Sequence, residues 1–263
     1  MTGGASSAGG VGLAGLAAHF ASNRLLSTFD PADRALIENA AQAVELARGE
    51  VIYEPGTHLS ATYFPTAGTM VSMVIALSDG RSVEVATIGK EGAIGGIVSC
   101  GNAPAYARAL VQIPGGALRI DLKALEAAKA RSSHIRNLFC RYSDALLAQV
   151  MQSVACNALH TLEARCCRWL LTAQDRVGGD SIPLTQEYLA EMLGVQRTTV
   201  SGVARSLQDQ GLIRYRRGTI QILERDGLEA KACDCYGNVE RHFMQVLPEI
   251  RPQKVLDNSG QAS

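Results

Sequence analysis

No apolar run in the 263-residue chain approaches the roughly 20 residues needed to cross a bilayer, which excludes a membrane-spanning helix. The opening Met1-Thr-Gly-Gly-Ala-Ser-Ser-Ala-Gly-Gly lacks a basic segment, and Leu13–Ala18 behind it is too short for an export core. A flexible tail over residues 1–20 and a cytoplasmic location are therefore expected. Net charge is lacking too, since 25 Lys and Arg balance 25 Asp and Glu. Catalytic spacings are absent. There is no Ser-His-Asp set with a nucleophile elbow, no Walker loop and no His-Glu-x-x-His run, and Gly92-Ala-Ile-Gly-Gly is not the G-x-G-x-x-G of a dinucleotide site. An enzyme is not expected. The cysteines number seven, and none shows the paired spacing of a zinc finger. Cys156, His160, Glu163 and Cys167 recur at helical steps, yet buried thiols in a reducing compartment are the commoner source of such a pattern. A redox cluster would need cysteines nearer the N-terminus than Cys100, the first in the chain. No metal and no cofactor are expected. Internal repeats are missing as well, and 47% hydrophobic with 19% charged residues describes a globular chain long enough for two domains.

What the chain does carry is concentrated near its C-terminal end. Leu184-Thr-Gln-Glu-Tyr-Leu-Ala-Glu-Met-Leu-Gly-Val-Gln-Arg-Thr-Thr-Val-Ser-Gly-Val-Ala-Arg-Ser-Leu-Gln-Asp-Gln-Gly211 reads as two short helices around a tight turn. Thr185 is placed to cap the first by accepting from a first-turn amide. Leu189, Met192 and Leu193 form its apolar face, Ala190 leaves room for a crossing helix, and Gly194 stops it. In the second helix Val200, Val203 and Leu207 turn inward, while Gln196, Arg197, Thr198, Ser201 and Arg205 turn outward. This is helix-turn-helix spacing. An ordinary αα-hairpin with a solvated polar face is the alternative, and the sequence behind it argues against that.

Leu212-Ile-Arg-Tyr-Arg-Arg-Gly-Thr-Ile-Gln-Ile-Leu223 alternates about Arg217-Gly218, the signature of a hairpin. A two-stranded wing there would carry Arg214, Arg216 and Arg217 toward a phosphate backbone. From Gln196 to Gly218 there are five arginines and one acid, a balance of plus four, whereas residues 21–121 hold seven basic and ten acidic groups, minus three. The neutral total hides a basic end and an acidic body, an arrangement suited to one face meeting a polyanion. Gln196, Arg197, Thr198, Thr199, Ser201, Arg205 and Thr185 with the three wing arginines are the candidate DNA-contacting residues.

Ahead of this region, Asp30-Pro31 predicts a capped helical turn, and short strands follow at Val51–Glu54, Ala61–Phe64, Met70–Leu77, Ser82–Ile88, Ala107–Ile113 and Ala117–Ile120. Their regular spacing predicts an antiparallel roll. Asp121 opens a short helix, and Arg136–Asn157 contains neither proline nor glycine. Leu138, Tyr142, Leu146, Val150 and Val154 recur there every four residues, a seam that would cover the roll and also pair with a second copy. Leu159–Val177 predicts the next helix, and Asp226–Leu247 a final helix ended by Pro248.

This order of elements resembles the Crp/Fnr family of bacterial transcription regulators over roughly residues 23–247, with Leu184–Leu223 as its most specific marker. Val51-Ile-Tyr-Glu-Pro-Gly and Ile88-Gly-Lys-Glu-Gly-Ala-Ile-Gly support the resemblance. It implies an α+β chain: an N-terminal cyclic-nucleotide-binding-like antiparallel β-roll at 21–135, a long dimerisation helix at 136–157, a C-terminal winged helix-turn-helix at 158–250 and a tail at 251–263. Implied partners are double-stranded DNA with a palindromic operator, a second copy, RNA polymerase and an unknown small-molecule effector, with no membrane. Relatives that bind cyclic AMP place a Glu after the glycine turn and an Arg-Ser pair after it. Here Gly95 is followed by Gly96, and Cys100–Arg108 has no such pair, leaving Gly89, Gly92, Gly95, Gly96 and Arg108 as an altered ligand pocket. A buried phosphate without its cation would be poorly solvated, so tight cyclic AMP binding is not expected. In the reading helix many relatives carry Arg-Glu and a further Arg, whereas here Arg197 is followed by Thr198, and Gly202 stands at the second Arg position. The operator should differ accordingly. The signal stays open: a small molecule, a redox change at Cys100 or Cys156, a haem at His58 or His134, or none. A ligand- or redox-sensing adaptor acting through protein contacts without DNA is the alternative function.

Overall fold

A computed structural model of the chain describes residues 13–97 and 103–247. Helix α1 (Leu13–Ser22) lies where a tail was expected. Leu16 and Phe20 sit one turn apart and are both buried, so the ordered body begins before residue 21. Two apolar residues four apart seat a helix on a core even when flexible composition precedes it. The tail expected at 251–263, the first 12 residues, Cys100 and Pro248 lie outside the described residues.

Asn23 follows α1 and is fully buried. Its amide donates to the carbonyls of Pro65 and Gly92, both at 2.9 Å, and its oxygen accepts from the Leu25 and Leu26 amides. Asp30 caps α2 (Pro31–Ala35) by accepting from the Asp33 amide at 2.8 Å, as the Asp-Pro start predicts.

The roll contains β1 (Ala41–Leu46), β2 (Val51–Tyr53), β3 (Ala61–Pro65), β4 (Met70–Ala76), β5 (Ser82–Ile88), β6 (Arg108–Ile113) and β7 (Gly115–Asp121). Two antiparallel sheets form, in the orders β1-β7-β3 and β2-β6-β4-β5. β1 is the strand that sequence reading misses. Its alanines and the polar Gln42 and Glu45 give no clean inside-outside alternation, and pairing along the length of β7 is what holds it.

Helix α3 (Leu122–Arg131) is capped by Asp121, and α4 (Ser133–Leu159) by Ser132. The five-residue seam expected on α4 divides between faces. Leu138 and Tyr142 are buried within the chain, and the Tyr142 hydroxyl donates to the Ala93 carbonyl at 2.9 Å. Leu146 packs on the roll interior and Val150 is half-buried, whereas Val154 faces outward. The reason is geometric. At 3.6 residues per turn each four-residue step advances about 40° beyond a full turn, so four steps rotate the row by roughly 160°. The face left open carries Leu147, Met151 and Val154, which fall within about 60° of one another at helical pitch.

The C-terminal part comprises α5 (Leu162–Val177), β8 (Ser181–Ile182), α6 (Gln186–Leu193), α7 (Arg197–Asp209), β9 (Ile213–Arg216), β10 (Thr219–Ile222), α8 (Arg225–Lys231) and α9 (Cys235–Val246). The single final helix expected from the sequence is broken at Ala232, whose backbone is extended. The break lets α8 pack on α5 while α9 packs on α4, two surfaces that no straight helix covers together.

One apolar cluster joins the two parts: Met70, Val74, Leu110 and Ile113 of the roll merge with Trp169, Leu170, Leu189, Val200, Leu207 and Ile220. The DNA-binding end is thus seated on the roll of its own chain. Among the described residues no helix is long and apolar enough to cross a membrane.

Candidate nucleic-acid interface

The interface is built from α6, α7 and the strands that follow. Thr185 caps α6 by accepting from the Tyr188 amide at 3.3 Å. Gly194 ends it in the left-handed region (φ 66°), the conformation glycine adopts without cost. Helix α7 then crosses with Val200, Ala204 and Leu207 buried. Gln196, Arg197, Thr198, Thr199, Gly202 and Arg205 are exposed together on its outer side. The structure therefore brings Gln196, Arg197, Thr198, Thr199 and Arg205 onto one open face, while Thr185 and Ser201 are half-buried.

Two of them are engaged in the free chain. Arg197 pairs with Glu187 at 2.6 Å, both groups about 60% exposed, so the pair is weak and exchangeable for a base edge. The Ser201 hydroxyl donates to Gln186 at 2.7 Å, bracing the two helices instead of facing outward freely. Glu187 is a residue sequence reading did not single out.

Behind α7 the chain turns at Arg217 (φ 32°) and Gly218 (φ 81°), with Arg216 paired to Thr219 across the turn. Two successive positive φ values make the primed two-residue hairpin the sequence predicts. The wing has three strands, because β8 adds to β10 through Ile182 and Ile220 in the order β8-β10-β9. Arg214, Arg216 and Arg217 are all exposed on it.

The glycine-rich segment of the roll is closed by the chain itself. A Cβ on Gly92 would overlap the Tyr142 hydroxyl, Gly96 lies against Leu122, and Gly89 lies against Arg176 and Glu91. Thr62 donates to the Gly95 carbonyl at 2.8 Å. Arg108 pairs with Glu54 at 2.8 Å. Gly89, Gly92 and Gly96 are thus packed closely by the chain's own side chains, and Arg108 is engaged by Glu54. His134 is taken up by Asp33 at 2.6 Å, and His58 is exposed.

Polar groups tie this roll to the DNA-binding end. Glu84 is buried in β5 and accepts from the Ser72 hydroxyl, from Thr87 at 2.7 Å and from the Trp169 indole at 3.0 Å. Burial raises its pKa above the ordinary carboxylate value, and the three donors with nearby Arg168 only partly oppose that. Arg176 of α5 grips Glu91 at 2.6 Å and the Thr87 carbonyl at 3.1 Å. Gln149 of α4 donates to the same carbonyl at 2.9 Å. A cavity of about 730 Å³ opens beside these contacts, with Lys90, Glu91, Gln152, Arg168, Asp175 and Tyr236 in its wall. Its size falls in the range of small-molecule clefts.

The residues that share helical steps in the sequence, Cys156, His160, Glu163 and Cys167, do not come together as one ligand set. Glu163 pairs with Lys231 at 3.1 Å, and Cys167 is buried in the domain core, where burial pushes its thiol up to about 11. Cys156 and His160 meet Cys233 and Cys235 instead, and the four ligating atoms lie within 4.8 Å of one another. Only the first pair was legible locally.

An antiparallel roll, a long helix and a three-stranded winged helix-turn-helix form, in this order, the architecture seen in solved structures of the Crp/Fnr type. The comparisons agree. Residues 164–231 match the Crp-like helix-turn-helix domain. In structure the chain is similar to a putative transcriptional regulator of the Crp/Fnr family from Eubacterium rectale (TM-score 0.63, 18% identity, 79% of this chain and 96% of that one). It is similar also to FixK2 from Bradyrhizobium japonicum (TM-score 0.64, 19% identity, 73% and 98%). A third structure of this shape is the c-di-GMP-responsive global regulator CLP of Xanthomonas campestris (TM-score 0.59, 16% identity, 73% and 99%). No curated protein matches the chain in sequence. The chain accordingly has a cyclic-nucleotide-binding-like roll followed by a Crp-like helix-turn-helix domain.

Proposed function

We propose that this protein is a sequence-specific transcription regulator that binds a palindromic operator as a homodimer and does not respond to cyclic AMP. The observation that carries the reading is the open face of α7, with Gln196, Arg197, Thr198 and Thr199 exposed beside the arginine wing. Arg197 reads a guanine edge, the two threonines meet thymine methyls or phosphates, and Arg214, Arg216 and Arg217 hold the backbone. Two such faces come into register when α4 pairs with its twin through Leu147, Met151 and Val154.

The packed glycine segment and the engagement of Arg108 by Glu54 support the lack of a cyclic AMP response. CLP, of the same shape, is named for a different nucleotide, which accords with the fold taking other signals. The cavity between the roll, α4, α5 and α9 is where an effector would act, because Arg176 and Glu91 lie both in its wall and across the domain junction. Selection of duplexes from a random pool tests the reading. Enrichment of one palindrome is the expected result, and an unenriched pool would point to the adaptor alternative.

A further inference from the structure

The α4–α5 junction carries a cluster that regulation through DNA does not use. Cys156 and His160 are one turn apart at the end of α4, and His160 is its C-terminal cap. Cys233 and Cys235 flank the start of α9, just beyond the segment that matches the Crp-like domain. Chain elements more than 70 residues apart therefore converge. Cys156 Sγ lies 3.5 Å from Cys233 Sγ, and Cys235 Sγ lies 3.4 Å from His160 Nδ1. Metal–sulfur and metal–nitrogen bonds of about 2.3 and 2.0 Å around a tetrahedron require edges of roughly 3.5–3.8 Å. The two close pairs already have that size.

We propose that Cys156, His160, Cys233 and Cys235 form a tetrahedral site for one thiophilic divalent cation, zinc by its donor set, which fastens α9 to the α4–α5 junction.

The surroundings are those of a ligand set. His160 presents Nδ1 to the cluster while its Nε2 lies 3.6 Å from the Asp234 carboxylate, which on a small approach would accept from the ring and strengthen the imidazole as a ligand. Gln152 donates to Cys235 Sγ at 3.0 Å. Three thiolates on a dication leave one negative charge, and the Arg165 guanidinium is close enough to Cys156 and Cys233 to feel theirs. Apolar packing does not explain the group: the three cysteines are buried with Ala164 as their partly buried apolar neighbour. A disulfide between Cys156 and Cys233 would leave Cys235 and His160 without a role. A multi-iron cluster spreads its thiolates around a body wider than one ion, whereas these four atoms all lie within 4.8 Å of one another.

The test is metal analysis of the full-length protein purified under reducing conditions, followed by exchange into cobalt. About one zinc ion per chain is expected, and the cobalt form should show thiolate-to-cobalt charge transfer with the intense ligand-field bands of a tetrahedral site. Cys156→Ser and Cys233→Ser should each lower affinity beyond detection, while Cys140→Ser, at an exposed thiol, should leave binding intact. Asp234→Asn keeps all four ligands. It should bind at full stoichiometry with roughly 10–100-fold weaker affinity, a result that misfolding of the cysteine variants cannot imitate. Natively folded protein that takes up less than about 0.1 cobalt per chain would overturn the proposal. So would undiminished binding in both cysteine variants, several irons with acid-labile sulfide, or a quantitative Cys156–Cys233 disulfide under reductant.

Discussion

Met151→Glu is the sharpest probe of the proposed pairing of two chains. Met151 stands between Leu147 and Val154 on the outer face of α4, and the three are 60%, 52% and 65% exposed in one chain. Full burial of such a side chain stabilises by about 1.5–3 kcal/mol, so covering the exposed part of Met151 contributes about 1–2 kcal/mol. Twofold symmetry doubles this to about 2–4 kcal/mol per dimer. A glutamate forfeits that burial and sets two carboxylates facing each other, adding about 1 kcal/mol of repulsion. A loss of about 3–5 kcal/mol weakens the dimer dissociation constant roughly a hundredfold to a few thousandfold. Sedimentation velocity over a concentration series measures it, with a thermal melt as the control. Because Met151 is exposed within one chain, the monomer's fold should lose no more than about 0.5 kcal/mol. Leu138→Ala should do the opposite, since Leu138 is only 2% exposed: about 2–5 kcal/mol of stability lost with little change in association. A Met151→Glu protein that sediments like the wild type at every concentration would refute the assignment of this face.

Arg197→Ala should relax preference at one base position, worth about 1–3 kcal/mol, in a binding assay across operator variants. Arg216→Ala and Arg217→Ala should instead weaken all sequences alike and flatten the salt dependence by about one unit of slope each; equal base-independent losses from all three would defeat this division. Gly202→Ala should raise the melting temperature through about 0.5–1 kcal/mol of helix stabilisation, because a methyl there meets open space; a lower melting temperature would contradict the open position. Glu84→Gln should flatten the acid side of the stability profile. Burial raises the folded pKa of Glu84 above the unfolded value of about 4.3, so the folded state holds its proton longer, and this contribution to stability declines as pH rises between the two. Denaturant melts from pH 4 upward follow the slope with Trp169, the only tryptophan, as the reporter; an unchanged slope would mean that Glu84 is not its source. Cyclic AMP titrated calorimetrically should show no micromolar binding, and a micromolar isotherm would reverse the reading of the roll.

What was legible in the sequence divides by range. The helix-turn-helix was legible because each of its signals is local. Thr185 caps within three residues, Gly194 needs only its own backbone, and Arg217-Gly218 sets a turn with its immediate neighbours. The row on α4 misled because a constant step of four looks like a face but winds around the helix, and only packing against the roll decides which members are inside. The wing's third strand was hidden for another reason: two residues, Ser181 and Ile182, carry no periodicity. The metal candidate lies at the boundary between these cases. Cys156 and His160 mark a helical face by themselves, yet they could not be told from buried thiols until the break at Ala232 set Cys233 and Cys235 against them. The Glu84–Trp169 contact spans 85 residues and joins a strand to a helix of another domain, with no pattern in either segment to announce it. A buried carboxylate and a lone indole each need a partner that only the assembled fold supplies. Surfaces set by local signals are therefore legible in such a chain, whereas junctions set by pairs of distant residues emerge only with the fold.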